Sequence, residues 1–383
     1  MPTKQPVLLR RDHHAKWDRR LFFLICLLIA CGSVMVFSAS YAYAQTRFGD
    51  HYYFIRKQIL WAGAGIAVML AVSFVPPEKL YRLTPAFYLA VSLLLLLVPL
   101  IGSEAGGAKR WIALGGFTFQ PSELAKSVLI LMLARYYTDM ADKVSAPRHK
   151  GRSFLFGILI PFGLLGLYCG LIVLEKHLSC IIILGCIALF MMLLGGASAR
   201  ILGSLCLVGA TGVGVFAMAV EYTRRRILIW RNPQLYPTDG GWQTLQGLMA
   251  IGSGGFFGLG LGNSRLKYMY VSEPQNDFIF TIVCEELGFL GAAGVLLLFA
   301  LFVRRGMTIA LSAQDSFSRL AAAGLTGKVA IQVLLNIAVV TNLLPNTGIS
   351  LPFFSYGGSS LVMLFAEMGI LLSISRRTAC KSD

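Results

Sequence analysis

Ten stretches of this chain are apolar and long enough to need a place out of water, and their succession limits the fold more than any other feature. They run over residues 21–39, 58–77, 84–101, 121–138, 153–174, 177–197, 201–220, 278–303, 321–341 and 357–375. A helix crosses the hydrocarbon of a bilayer with about 20 residues, so the expectation is an all-α, polytopic membrane protein of about ten transmembrane helices. Of 383 residues, 56% are apolar and only 14% charged, against roughly 25% charged in soluble domains. No loop is long enough to bury a core of its own. Residues 21–375 are therefore read as one transmembrane domain between tails at 1–20 and 376–383. Lys126 and Arg135 interrupt the fourth run, and only Glu175 and Lys176 separate the fifth from the sixth, a tight helical hairpin. The basic N-terminus and Ala42-Tyr-Ala44 imitate a secretory signal. The first apolar run, however, reaches Ser38 and exceeds the roughly 7–15 residues of such signals, so an uncleaved first span is expected.

Cations in short loops orient the spans. A cytoplasmic N-terminal tail, with Lys4, Arg10, Arg11, Lys16, Arg19 and Arg20, places Lys79/Arg82, Lys143/Arg148/Lys150/Arg152, Arg200, Arg304/Arg305 and Arg376/Arg377 inside as well. Both termini are then cytoplasmic, and 40–57, 102–120, 221–277 and 342–356 lie outside. This spread of cations along span ends accounts for most of the net charge of +16, so membrane lipid and no nucleic acid is the partner it implies. The large outer loop 221–277 breaks the rule with Arg224, Arg225, Arg226, Arg231, Arg265 and Lys267. Cysteines sit mostly inside apolar runs without a C-x-x-C pair, which argues against a zinc site or disulfide framework.

Asp277 closes that basic loop one step before the apolar run Phe278–Val283. As an isolated carboxylate it has two readings, a helix N-cap or a general base facing an anionic substrate. Ahead of it, Trp242–Ile251 reads as a short interfacial helix. Gly252, Gly254, Gly255, Gly258, Gly260 and Gly262 form no Walker loop and read as a mobile or re-entrant connection. Glu285 and Glu286, within the eighth span, are functional candidates by default, with pairing to a cation or amide as the plainer account. Lys109-Arg-Trp-Ile112 is read as a binding patch or an aromatic anchor. Glu123 and Lys126 are i, i+3 neighbours and form at least an ion pair. Gln332 and Asn336 are one turn apart on the ninth span, where amides commonly join helices. The Pro/Gly/Ser-rich loop 344–360 fits backbone that lines a cavity.

On an outer membrane surface without nucleotides, a transferase needs a preactivated donor such as a lipid-linked pyrophosphate sugar. That chemistry asks for one base and for cations against the departing phosphates. A lipid flippase would use the same residue types.

Several long motifs in order carry a resemblance. Lys109-Arg-Trp-Ile112, Gln120-Pro-Ser-Glu-Leu-Ala-Lys126, Asp277-Phe-Ile-Phe280, Glu285-Glu-Leu-Gly288, Leu344-Pro-Asn-Thr-Gly-Ile349 and Leu351-Pro-Phe-Phe-Ser-Tyr-Gly-Gly-Ser359 resemble the SEDS family of bacterial cell-wall proteins (FtsW, RodA, SpoVE). The resemblance spans about Leu21 to Arg377 and implies a ten-helix fold in the bacterial cytoplasmic membrane. It implies a peptidoglycan glycosyltransferase that polymerises lipid II into undecaprenyl-pyrophosphate-linked glycan at an extracytoplasmic site, together with a single-pass class B penicillin-binding protein. By the same resemblance Asp277 is the catalytic base toward the acceptor 4-hydroxyl, and Arg110, Glu123 and Lys126 line the outer cavity. Trp111, Lys267, Glu273, Gln332, Asn336 and Ser355 complete the candidate substrate-binding set. No cofactor is certain from the sequence; stimulation by a divalent cation, Mg2+ or Mn2+, follows from the family, although no dedicated ligand set is visible. Gly260–Tyr268 resembles the FtsW/SpoVE branch, which favours a division role, with elongation or sporulation as alternatives. Glu175-Lys-His-Leu-Ser179 departs from the family's Pro-Asp-Leu-Gly, Val271-Ser-Glu273 from its Leu-Pro-Glu, and Lys328 is unusual within a span.

Overall fold

The computed structural model describes residues 17–105, 108–114, 117–144, 150–207, 221–236, 241–268 and 273–378. Its principal helices are α1 (Arg19–Phe48), α2 (Tyr53–Ser73), α3 (Pro77–Ile101), α4 (Pro121–Asp139), α5 (Ile160–Leu174, preceded by a π-helical turn over Leu155–Leu159), α6 (Leu178–Leu194), α7 (Glu221–Arg231), α8 (Gly241–Ser253), α9 (Ile279–Ser312), α10 (Ser316–Val340) and α11 (Gly358–Thr378). The expected seventh run is helical over 201–207; its remainder, like the tails at 1–16 and 379–383, lies outside the described residues.

Among the described residues, α1, α2, α3, Leu155–Leu174, α9, α10 and Gly358–Arg377 are long and apolar enough to cross a membrane, and α6 is apolar but shorter. The chain is thus an all-α, multi-pass membrane protein. α4 differs from the other expected spans for a physical reason. It packs against α3, α6 and α10, and its Ser122, Lys126 and Ser127 are buried. Its polar groups face protein, where partners exist, and not lipid.

Local chemistry fixes the helix ends. Asp18 caps α1 by accepting from Leu21 N at 2.8 Å, and Asp315 caps α10 by accepting from Ser318 N at 2.8 Å. Asp18 also accepts from Arg305 Nε of α9 at 2.8 Å, and its own N–H donates to Ser375 Oγ of α11 at 3.3 Å. An ion pair joins Arg377 to Glu78 of α3. Four helix ends that alternation places on one side of the membrane are therefore tied together at one end of the bundle.

Residues 102–120, expected to be a loop, instead form a small antiparallel sheet, β1 (Ser103–Ala105), β2 (Ala108–Leu114) and β3 (Phe117–Phe119), in the order β1-β2-β3. Ala113 pairs with Thr118 between β2 and β3. The sheet carries Arg110 to the corner between α5 and α6.

The glycine-rich segment after α8 completes a break in α9. Gly288 sits at φ 65°, ψ −166° inside that helix, a conformation open essentially to glycine. The carbonyls of Glu285 and Glu286 accept from Leu259 N at 3.0 Å and Gly260 N at 2.9 Å, while Phe289 N donates to Gly255 O at 2.9 Å and Leu290 N to Phe256 O at 3.2 Å. Backbone groups released by the break are thus repaired by the re-entering segment, as apolar surroundings demand.

Candidate functional site

Asp277 stands at the end of α9 remote from the Asp18 cluster, where two loops are stitched together. Asn336, near the end of α10, donates Nδ2 to Asp277 O at 2.8 Å and to Ile349 O at 2.6 Å. Ser355 Oγ accepts from Leu351 N at 2.7 Å and donates to Asn276 O at 2.8 Å. Tyr356 N donates to Gln275 O at 2.9 Å. Asn336 and Ser355, expected to touch substrate, hold the main chain on either side of Asp277; they position it. The loop 341–356 is also clamped to α7, where Trp230 Nε1 donates to Asn342 O at 2.9 Å and Asn342 Nδ2 to Trp230 O at 3.3 Å.

The capping account of Asp277 is not met. The N-cap position of α9 is Phe278, with no side-chain cap, and no hydrogen bond reaches the Asp277 carboxylate among the described residues. The carboxylate lies beside Gly348, where a β-carbon would come within 3.0 Å of Oδ2. Burial first, and the nearby Glu273 second, push its pKa from 3.8 up to about 6. An uncapped carboxylate with that pKa is ionised at neutral pH yet basic enough to take a proton in a transition state. Glu273 itself is exposed, has a left-handed φ of 49°, and accepts from Asn276 Nδ2 at 2.7 Å. It acts on Asp277 through its charge.

Glu123 and Lys126 pair at 2.7 Å at the start of α4, the lysine buried. They line a cavity of about 20 Å³ together with His177, Ser179, Gln332 and Gly348. An adjoining cavity of about 30 Å³ shares Glu123 and Gln332 and adds Lys328, Ser355 and Ser360. Lys328 pairs with Glu367, which also accepts from Ser127. The candidates Glu123, Lys126, Gln332 and Ser355 are therefore brought together, and Gly348 joins them to Asp277. Lys328 follows the same four-residue spacing as Gln332 and Asn336, a signal in the sequence that identifies it as part of this polar face.

Other candidates are engaged elsewhere. Lys267 is buried, its ammonium 3.2 Å from Glu286 Oε1 and donating to Gly262 O, so it belongs to an internal ion pair and not to a substrate surface. Glu286 further accepts from Ser38 Oγ and from Ser264 N at 3.2 Å, and Glu285 accepts from Ser264 Oγ and from Arg265 N at 3.0 Å. The plainer account of both glutamates is the one the geometry favours: they fasten the re-entrant segment. Arg110 donates to Glu175 O at 3.3 Å and Lys176 O at 2.7 Å, closing the α5–α6 corner, while Trp111 is half-buried in β2. Among the described residues no three His, Cys, Asp or Glu side chains gather to hold a metal ion, so the residues do not make a ready divalent-cation site.

Glu175 shows what burial does at that corner. It is 1% exposed, both carboxyl oxygens have no partner among the described residues, and burial raises its pKa to about 8 against the pull of Arg110. The folded state thus holds a proton that the unfolded chain releases near 4.5, and stability falls as pH rises between those values, then levels. Glu175→Gln is expected to raise the melting temperature, with a gain over wild type that grows from pH 5 to 8; a pH-independent gain would contradict this account.

Comparison with known proteins adds to the geometry. A family model described as "Cell cycle protein", FTSW_RODA_SPOVE, matches residues 19–380. Stage V sporulation protein E of Bacillus subtilis (strain 168) is 37% identical over 365 residues, covering 94% of this chain and 97% of that one. A Geobacter sp. (strain M18) relative, "Probable peptidoglycan glycosyltransferase FtsW", is 36% identical over 363 residues with 94% and 97% covered. In solved structures, a chain of a peptidoglycan synthase complex described for coordination of polymerization and crosslinking superposes with TM-score 0.80 at 27% identity, covering 97% of this chain and 100% of that chain. The Thermus thermophilus rod shape determining protein RodA superposes with TM-score 0.68 at 28% identity, covering 96% and 98%.

Proposed function

This chain belongs to the FtsW/RodA/SpoVE family of cell cycle proteins, and on that premise we propose that it is a membrane peptidoglycan glycosyltransferase that polymerises lipid II, with Asp277 as the general base. The single observation that carries the base assignment is the uncapped Asp277 carboxylate, raised to about 6, at the edge of a cleft that holds Lys126. The acceptor's 4-hydroxyl gives its proton to Asp277 as its oxygen attacks the anomeric carbon of the donor. The bond from that carbon to the diphosphate breaks, the electron pair leaves on the phosphoryl oxygen, and the anomeric centre inverts. Lys126 supplies positive charge near the departing group.

The site is assigned to the extracytoplasmic face, in keeping with the cation bias of the opposite loops. A class B penicillin-binding protein is the partner that suits a polymerase, and the similarity to a chain of a synthase complex that couples polymerization to crosslinking supports it. The relatives include both FtsW and a sporulation protein at similar identity; we assign a division role on the resemblance of Gly260–Tyr268 to the FtsW/SpoVE branch.

The purified chain with its partner should make glycan strands from lipid II. Because Asp277 must be ionised to accept a proton, kcat/KM should fall about tenfold per unit below pH 6 and level above it. Glu273→Gln removes the neighbouring negative charge, so the acidic limb should move to lower pH. A limb that stays in place would separate Glu273 from the base.

A further inference from the structure

α7 and the short turn after it, Pro233–Leu235, hold most of the cations of the outer loop. Arg224, Leu228 and Arg231 recur at i, i+4 and i+7 and so share one face of α7, and all three are exposed. Leu235, four residues on, is 73% exposed. Neither arginine has an ion-pair partner among the described residues. Another side of α7 is seated on the bundle, where the two hydrogen bonds between Trp230 and Asn342 clamp it. That clamp fixes its depth. α10 has 25 residues, about 37 Å of helix, which exceeds the hydrocarbon thickness of about 30 Å. Its ends therefore reach the headgroup layers, and Asn342 stands just past one of them. Leu343 and Leu344, next in the chain, are exposed as well. Four exposed leucines around one clamp exceed the scattered apolar residues of a solvated surface. Leucine and arginine on one face are what an interfacial helix presents, the first to the acyl boundary and the second to the phosphates. Cations are scarce in outer loops, so a pair held on one face calls for an anion.

α8 has an apolar counterpart of this face, with Trp242 and Met249 exposed. Its inner side packs on the residue after Asp277: a β-carbon at Gly247 would come within 3.0 Å of the Phe278 ring. Gln243 Oε1 of α8 accepts from Asn346 Nδ2 at 3.3 Å. The loop 341–356 is thus held by α7 at Asn342 and by α8 at Asn346, two positions before Gly348 and its contact with Asp277.

We propose that α7 is a docking surface for anionic phospholipid, and that this seat on the membrane steadies the loop 341–356 beside Asp277. Arg224 and Arg231 meet the headgroup phosphates, and Leu228 and Leu235 enter the acyl boundary. The two unpaired arginines select an anionic lipid over a zwitterionic one, whose own cation offsets its phosphate. The docking stands apart from the chemistry at Asp277, and only its effect on turnover rests on the glycan-polymerase reading.

The test uses the full chain in vesicles of equal parts phosphatidylglycerol and phosphatidylcholine, with a photo-cross-linking benzophenone side chain placed at Leu228, between the two arginines. Cross-linking should favour phosphatidylglycerol by about tenfold or more at low salt, and the preference should shrink in high salt. Arg224→Gln combined with Arg231→Gln should bring the ratio to about one, while Arg224→Lys with Arg231→Lys keeps the charge and should stay within about threefold of the parent. Both side chains are exposed, so the melting temperature should be the same in all three proteins. A parent chain without preference, or a preference that survives the double glutamine change, overturns the docking surface. So does a cross-link to a co-reconstituted penicillin-binding protein in place of lipid, which makes this face a protein interface. Strand formation from lipid II, by the chain without the cross-linker, should be about fivefold faster or more in the mixed vesicles than in pure phosphatidylcholine. The double glutamine variant should be equally slow in both. Equal wild-type rates in the two vesicles overturn the link to the loop. Should no strands form in either vesicle while the lipid preference still depends on the two arginines, the polymerase reading fails and the docking surface stands.

Discussion

Asp277→Asn is expected to lower the rate of glycan strand formation by about 10²–10⁴-fold, the usual contribution of a general base, while leaving the protein folded. Asparagine has nearly the same shape, so the contact with Gly348 is kept. The hydrogen bonds that hold this segment use the main-chain carbonyls of Asn276 and Asp277 and are untouched. The carboxylate's raised pKa adds a second, independent signature. Burial penalises its charge, so the folded state is disfavoured progressively as pH rises from 3.8 to about 6. Removing the charge should raise the melting temperature at pH 7 and have little effect near pH 3.5. Loss of activity with a melting temperature raised in this pH-dependent way identifies Asp277 as a residue whose charge serves chemistry and not stability. A variant that still polymerises at the wild-type rate removes Asp277 from the mechanism, whatever its stability. One that loses activity because it no longer folds contradicts the geometry described for the loop.

The bundle was legible because hydropathy acts over one contiguous run at a time. Spans α1, α2, α3, α9, α10 and α11 follow from it directly, and alternation anticipated the gathering of Asp18, Glu78, Arg305 and Arg377 at one end. Asp277 was legible as an isolated acid ahead of an apolar run, but its two readings could be separated only by where the helix begins, one residue later than a cap would require. Lys267 was misread because a cation in an outer loop looks the same whether it faces solvent or a carboxylate buried 19 positions on. Its partner Glu286 is reached only after the glycine segment turns back into the bundle. Arg110 is a similar case, since its acceptors are main-chain carbonyls that no pattern of side chains announces. The sheet at 103–119 was invisible for lack of length, its outer strands being three residues each. His177 and Lys328 were noticed as departures from a pattern, and the structure brings both to the walls of the two cavities.

Gly288→Ala should be severely damaging, and a graded series of glycines can prove the reason. At Gly288 a β-carbon would run into Gly258 N and come within 2.7 Å of Phe256 O and Phe257 C. These are backbone atoms that cannot swing aside. The φ of 65° with ψ of −166° is itself closed to alanine. Either the break in α9 straightens or the re-entrant segment is expelled, and then four backbone hydrogen bonds between them are lost. With the left-handed strain at about 1–3 kcal/mol and each orphaned buried group at about 1–3 kcal/mol, the total reaches the whole stability of an ordinary domain. The expected result is protein that elutes aggregated in size-exclusion chromatography and makes no strands. Gly262 also has a positive φ, of 82°, but open space around it, so Gly262→Ala should cost only about 1–2 kcal/mol. Gly252, at ordinary helical φ in α8 with nothing near its β-position, should tolerate alanine or gain up to about 1 kcal/mol. Melting temperatures of the three variants in one detergent should fall in that order. If Gly288→Ala melts with Gly252→Ala, the backbone pairing between the glycine segment and α9 does not hold that segment in place.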